Sequence, residues 1–366
     1  MTKIKNILLI VLTSCMILGF GAYELLKTPD EYSLSERRTL AKMPEVSFES
    51  LLSGKYMSEF EDFSLDQFFA RDTFRSVKAA TSRYLFRQKD NHGIYISNGH
   101  LSKLEYPANE AKLDNSAQKI GEVYDKFISG SDCKVYLSVI PDKNYFLAPL
   151  GGYPMMDYES VTQTLRDKVG FASYIDLYPL LELDDYYNTD QHWKQEKLPD
   201  VAKHIAEAMD SEISLDFLEN VLDVPFRGAY CGQAALSFKP DTIRYLTSDI
   251  LASCKVTLYP TGKPQEGFIY DMKKGMGKDP YELFLSGAEP LVVIENPSSD
   301  TDRELVVFRD SFTSSLAPLL ASGYSKITLV DLRYMHTDLI SNYITFENKD
   351  VLFIYSTLVL NNNISM

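Results

Sequence analysis

Cysteine is scarce in this 366-residue chain, which holds Cys15, Cys133, Cys231 and Cys254. None sits in a C-x-x-C pair, so a structural zinc site has no ligand framework. Cys231 and Cys254 could bridge outside a cell, but spacing does not establish a disulfide, and buried free thiols fit equally well. Histidine is nearly as rare: five residues, His92, His100, His192, His204 and His336, with no H-E-x-x-H run to bind a metal. No G-x-x-x-x-G-K-[ST] or G-x-G-x-x-G run occurs, which leaves nucleotide binding without a motif. Positive charge is short as well. Lys and Arg number 37 against 51 Asp and Glu, a formal net charge of −14 that repels phosphate backbones and argues against a nucleic-acid partner.

What is present begins at the N-terminus. Lys3 and Lys5 precede an almost uncharged run from Ile7 to Tyr23. At ~1.5 Å per residue the run spans roughly 25 Å, near the lower limit for crossing a bilayer. Basic residues on its amino side favour a cytoplasmic N-terminus with the remainder exported. An uncleaved signal anchor is the leading expectation. A cleaved signal peptide is its main rival; a lipoprotein box at Leu12-Thr13-Ser14-Cys15 and a buried core helix are others.

Apolar patterning then divides the chain. Residues 26–43 are charged and read as a stalk. Phe48 to Phe86 carries recurrent aromatics and aliphatics among charges, which suits one or two amphipathic helices. Gly93 to Leu101 reads as a hairpin turning at Asn98-Gly99. Beyond it, helices over 108–128, 158–169, 196–209 and 314–321 alternate with strands over 134–140, 174–176, 291–294, 305–308, 327–330 and 351–355. Strands alternating with helices predict an α/β sheet covered on both faces. Residues 215–288, rich in Tyr, Gly and Pro, give no clear pattern.

Two short stretches carry chemistry. Asp190-Gln191-His192-Trp193 offers a carboxylate and an imidazole two residues apart. Arg309-Asp310-Ser311-Phe312 places a serine just after the apolar run Glu304 to Phe308. A serine becomes a nucleophile when a base takes its proton and a third group orients that base; Ser311, His192 and Asp190 supply those types. A helix-capping serine is the alternative for Ser311. Trp193, the only tryptophan, reads either as core or as a flat binding face.

The chain resembles the DHHW family of bacterial exported proteins, which are related to the SGNH-hydrolase-like proteins that O-acetylate alginate and other exopolysaccharides. The resemblance runs from about Glu36 to Asn361. It rests on Glu36-Arg37-Arg38-Thr39-Leu40 with Pro44 downstream, Asp66-Gln67-Phe68-Phe69-Ala70-Arg71-Asp72, the two stretches above, and Asp331-Leu332-Arg333-Tyr334, in the expected order. It departs at Gln191, where the family has its first histidine, and at Arg309, where many SGNH enzymes carry glycine.

The resemblance implies a flavodoxin-like three-layer α/β sandwich with a mainly parallel sheet, preceded by an N-terminal transmembrane helix. Asp190 and His192 precede Ser311, so the fold would be a permuted SGNH-hydrolase fold. The implied organisation is 1–25 signal anchor or signal peptide, 26–90 stalk and amphipathic helices, and 91–366 the SGNH-like domain. Ser311 would be the nucleophile, His192 the base and Asp190 the orienting acid. Arg333, Trp193 and Tyr334 would contact substrate, and Gly228, Gly232 and Asn188 are candidate oxyanion donors. No metal or cofactor is implied. The implied function is an exported O-acetyltransferase or acetylesterase acting on cell-surface or secreted polysaccharide, partnered by that polysaccharide and a membrane acyl-donor protein. The alternatives are a non-catalytic glycan-binding or assembly protein of the cell envelope with the same fold, and a purely structural surface protein.

Overall fold

The structure is a computed structural model describing residues 2–362. The chain divides into two compact units. One holds the chain up to His92 together with Cys231–Phe238; the other holds Gly93–Tyr230 and the chain from Lys239 onward.

The first unit begins with helix α1 (Thr2–Leu26), in which Lys3–Tyr23 is long and apolar enough to cross a membrane. The stretch 48–86 forms three helices rather than one or two: α2 (Phe48–Leu52), α3 (Lys55–Gln67) and α4 (Arg71–Ala80), the last running on through a wider turn over Thr81–Leu85. Left-handed backbone at Gly54 (φ 76°) and Ala70 (φ 50°) breaks the run. The expected stalk also contains structure. Tyr32–Ser33 pairs antiparallel with Arg38–Thr39. Asp66 accepts from Arg38 Nη1 at 2.8 Å and the Ala41 N–H at 2.9 Å, and Arg71 pairs with Glu36 at 2.6 Å. The residues of the first two motifs thus form a local ion-pair cluster.

The second unit is built on an eight-stranded sheet. Its strands are β1 (Lys134–Ile140), β2 (Ser173–Asp176), β3 (Lys255–Leu258), β4 (Gln265–Gly267), β5 (Leu291–Glu295), β6 (Glu304–Arg309), β7 (Lys326–Val330) and β8 (Asp350–Ser356). They lie in the order β4-β3-β5-β7-β6-β8-β1-β2. The run from β7 to β2 is parallel throughout, while β5, β3 and β4 add antiparallel at the other edge. Counted from β6, the parallel strands follow the flavodoxin order 2-1-3-4-5, with the chain entering at the fourth. The fold is therefore the permuted three-layer sandwich.

Strand alternation separates two cores. Leu305 and Val307 of β6 pack on the face shared with Val201, Ala202 and Ile205 of α8 (Pro199–Ala208). Val306 and Phe308 pack on the face of Leu113 and Ile120 from α5 (Glu110–Val123), and of Val161 and Leu165 from α7 (Tyr158–Lys168). Burial on both faces is why these strands read as unbroken apolar runs. Helix α6 (Lys143–Gly151) was not anticipated, and neither was the hairpin of Leu218–Phe226 with Asp241–Thr247. None of the four cysteines is in a disulfide, and Cys231 Sγ donates to the Leu236 carbonyl at 3.2 Å.

Candidate active site

At the carboxyl end of β6 the chain turns sharply, and Asp310 holds the turn. Its Oδ1 accepts from the Phe312 N–H at 3.0 Å; its Oδ2 accepts from the N–H and O–H of Ser356, at the end of β8, both at 2.7 Å. Ser311 is half-buried at the tip. It is not spent as a helix cap: the short helix Thr313–Leu316 has Phe312 in the cap position and no side-chain cap bond. The helix expected over 314–321 is this single turn followed by a 3₁₀ segment, Ala317–Gly323.

The Asp190–Trp193 stretch is a tight loop closed by a bridge between Tyr186 and Trp193, with the Tyr187 N–H donating to the His192 carbonyl at 3.1 Å. Asp190 is fully buried. Its Oδ1 lies 2.6 Å from His192 Nδ1 and accepts from the His192 N–H at 3.1 Å, while its Oδ2 accepts from the Ala229 N–H at 2.8 Å. His192 Nε2 lies 2.8 Å from Ser311 Oγ. The three side chains named from the sequence therefore stand in one hydrogen-bonded row. The imidazole stacks on the Tyr281 ring, centroids 3.9 Å apart and 9° from parallel, and the Tyr281 hydroxyl lies 3.0 Å from Ser315 Oγ. A ring clamped on one face and bonded at both nitrogens has little rotational freedom.

Glycine is required at 228. A Cβ there would stand 2.3 Å from Asp190 Cβ and 2.4 Å from the Thr189 carbonyl oxygen, so only glycine lets this segment bring the Ala229 N–H onto Asp190. The Asp190 loop is also held from beneath. Lys143, 1% exposed, donates from Nζ to the carbonyls of Tyr187 and Asp190, both at 2.7 Å, and of Asn188 at 3.3 Å. Burial drives its ammonium down to about 7, and the carboxylates of Asp190 and Asp241 oppose that shift only in part. Asp241 accepts from the Thr189 and Asn188 N–H groups at 2.7 and 2.9 Å. None of Lys143, Tyr281, Asp241 or Ser356 was picked out from the sequence. Lys143 does immediately follow Pro141-Asp142 at a strand's carboxyl end, where sites gather in such sheets.

Other named residues are placed differently. Trp193 is fully buried, and its Nε1 donates to the Phe312 carbonyl at 2.9 Å and to Ser315 Oγ at 3.0 Å. It belongs to the core and ties the His192 loop to the Ser311 turn, so it has no face to offer a sugar. Arg333 forks onto Asp331, Nε at 2.8 Å and Nη2 at 2.6 Å, with its guanidinium 5.3 Å from the ring centre of the exposed Tyr334. Arg309 is wholly buried, reaching Ser314 Oγ at 3.1 Å and the Glu289 carbonyl at 3.4 Å, so it braces the turn from within.

Among the expected oxyanion donors, the Gly228 N–H is committed to Thr189 Oγ1 at 2.8 Å and the Asn188 N–H to Asp241. Gly232 lies in the first unit. With the Phe312 N–H on Asp310, the Ser311 N–H is the backbone donor beside the Ser311 hydroxyl for which no acceptor stands among the described residues.

Solved structures share this fold. A DHHW family protein from Eubacterium siraeum is 21% identical with a TM-score of 0.60, covering 74% of this chain and 92% of its own. PatB1 of Bacillus cereus is 18% identical with a TM-score of 0.59, covering 74% of this chain and 97% of its own. A PatB1 structure with a sulfonyl adduct matches at 18% identity and a TM-score of 0.57, covering 74% of this chain and 98% of its own. The resemblance read from the motifs is thus met in the fold, which is what likeness at such identity establishes. No protein-family model matches the sequence, and no curated protein does.

Proposed function

We propose that this chain is an exported, membrane-anchored serine enzyme that moves an acetyl group onto or off a cell-surface or secreted polysaccharide. The observation that carries the reading is the row Ser311 Oγ, His192 Nε2, His192 Nδ1, Asp190 Oδ1, with separations of 2.8 and 2.6 Å across its two contacts. With Asp190 ionised and taking the Nδ1 proton in hydrogen bond, the Nε2 lone pair faces the serine hydroxyl.

Ser311 Oγ then bonds to the acetyl carbonyl carbon as its proton passes to Nε2, and the carbonyl oxygen becomes an oxyanion beside the Ser311 N–H. Collapse expels the donor's oxygen, protonated by His192, and leaves acetyl-serine. A sugar hydroxyl, or water, gives its proton to His192 and attacks the acetyl carbon; the acetyl–Oγ bond then breaks and Ser311 Oγ takes the proton back from His192. A membrane acyl-donor protein is the source of acetyl in the transferase direction. Tyr334 and the Asp331-fixed Arg333 are assigned to the glycan. The apolar helix at residues 3–23 is assigned as an anchor that leaves the second unit outside the cytoplasm.

The full chain in detergent is expected to hydrolyse p-nitrophenyl acetate, and Ser311→Ala to lower the rate by ~10³-fold or more. Phenylmethanesulfonyl fluoride is expected to add one sulfonyl group, mapped by mass to Ser311, as the adduct on PatB1 suggests. Wild-type turnover no faster than Ser311→Ala, with no adduct, refutes the enzyme reading. One observation favours a second reading, a glycan-binding protein of the envelope: the commitment of the Phe312, Gly228 and Asn188 N–H groups leaves few donors for an oxyanion. Saturable glycan binding that survives Ser311→Ala, without turnover, decides for it.

A further inference from the structure

The first unit exposes large apolar side chains that its own small core leaves uncovered. Phe69, Phe74 and Val77 are exposed, and Tyr84, Leu85 and Phe86 form three consecutive apolar residues more than two-thirds exposed. Such a run in water is unfavourable and marks an interaction surface.

Its place relative to the apolar helix α1 identifies the partner. Phe20 and Tyr23 lie at the end of the stretch long enough to span a bilayer. The Phe20 ring meets those of Phe68 and Phe69, centroids 5.5 and 5.7 Å apart, and Tyr23 meets Phe69 at 5.0 Å. Phe68 in turn meets Phe74 of α4 at 5.5 Å. Rings in contact share a depth, so if α1 spans a bilayer, the start of α4 sits at the membrane surface. From Phe74 to Leu85 the helix advances roughly 16 Å at its ordinary rise. A helix rising away from the membrane would carry Tyr84–Phe86 that far into water. A helix lying flat puts them among the lipid headgroups. Lys78, Arg83 and Arg87 flank the same residues, the basic and aromatic mixture suited to an anionic bilayer surface.

We infer that α4 and its continuing turn lie flat in the headgroup layer of the bilayer that α1 spans, so that the first unit is a membrane-seated platform rather than a stalk. The inference rests on the reading of α1 as an anchor and is independent of the proposed chemistry.

The single native tryptophan makes a direct test possible, because Trp193 is fully buried in the second unit and gives a constant background. The full chain carrying Leu85→Trp, or Val77→Trp as a second variant, is placed in phosphatidylcholine–phosphatidylglycerol vesicles with bromine shallow or deep on the acyl chains. Emission added by either variant is expected to fall by half or more with shallow bromine and by less with deep bromine. Ile10→Trp is expected to show the reverse order. If Ile10→Trp is quenched but neither platform variant is, the platform is refuted and the anchor stands. A blue-shifted yet unquenched Leu85→Trp assigns the surface to a second copy or another protein and refutes it equally. If Ile10→Trp is unquenched, anchor and platform fall together, while the acetate-release assay is untouched.

Discussion

Replacing Asp190 by asparagine isolates what its charge does, because the structure fixes the partners of both carboxylate oxygens. Oδ1 accepts from His192 Nδ1–H and the His192 N–H, and Oδ2 accepts from the Ala229 N–H. An amide has one oxygen and one NH₂, so it cannot serve both sides. With its oxygen toward His192, the amide sets NH₂ against the Ala229 N–H. The imidazole keeps its tautomer but loses the charge that stabilises imidazolium. With its oxygen toward Ala229, it donates to Nδ1, the ring proton moves to Nε2, and the lone pair facing Ser311 disappears.

Each orientation leaves a buried donor unpaired at ~1–3 kcal/mol, so neither wins clearly on hydrogen bonds. The second removes the base, and in a serine protease triad the same exchange lowers kcat ~10⁴-fold, equivalent to ~5.5 kcal/mol. The first retains a base lacking its carboxylate and loses ~10²-fold or more, the scale of general-base assistance. The expected fall in p-nitrophenyl acetate turnover is therefore ~10²- to ~10⁴-fold, with a parallel fall in sulfonyl labelling of Ser311. Asp190→Asn that folds, keeps its melting temperature within a few degrees, and turns over at the wild-type rate refutes the relay.

Gly228→Ala is expected to force backbone atoms of 189 and 190 apart, costing ~1–3 kcal/mol in chemical denaturation and slowing turnover by displacing the Ala229 N–H from Asp190. Lys143 supplies a pH signature. Burial lowers its folded pKa to about 7 from an ordinary 10.5, so between those values the unfolded chain binds the extra proton and stability rises with pH. Urea midpoints at pH 7 and 9 should show that rise, and Lys143→Met should flatten it while loosening the carbonyls of the Asp190 loop.

What the sequence discloses follows from what shapes it. Val306-Val307-Phe308 and Val351 to Tyr355 are buried on both faces, so composition alone marks them as strands. Ser311, His192 and Asp190 stand out as residue types that perform chemistry. Trp193 is ambiguous because burial depends on the partner surface: Phe312 and Ser315 are 119 and 122 residues away in sequence. Lys143 reads as an ordinary surface lysine, since its three carbonyl partners exist only once the loop closes over it. Helix α6 contains Pro149 and ends in glycines, which resembles a loop, yet Asp142 caps it by accepting from the Asn144 N–H at 2.7 Å. The stretch 215–288 hides its strands because most of their residues are exposed or half-buried, so no apolar run lasts long enough to register.

The permutation poses a geometric problem whose solution can be tested. Ser311 follows β6, whereas the loop bearing Asp190 and His192 follows β2, three strands away along the sheet. At ~4.8 Å per strand the loop must cross ~14 Å of carboxyl edge, over β1 and β8. Each strand crossed supplies a tether. Asp310 beside Ser311 bonds Ser356 at the end of β8. The next residue, Thr357, donates to Asp142 Oδ2 at 2.7 Å and accepts from the Asp142 N–H at 3.0 Å, beyond the end of β1. The next residue again, Lys143, grips the Asp190 carbonyl. This arc joins serine to acid through buried hydrogen bonds and touches neither substrate nor proton. Thr357→Val keeps the shape of the side chain and breaks the arc at its midpoint, leaving the buried Asp142 N–H without an acceptor while Oδ2 keeps the Tyr158 hydroxyl at 2.9 Å, ~1–3 kcal/mol of stability. Asp142, which burial already raises to about 6, would rise further for want of the Thr357 hydroxyl. If the arc positions the relay, kcat falls with KM unchanged, and sulfonyl labelling of Ser311 slows in proportion. Loss of stability with kcat and labelling intact would mean that the arc merely holds the sheet edge together and that the loop finds Ser311 without it.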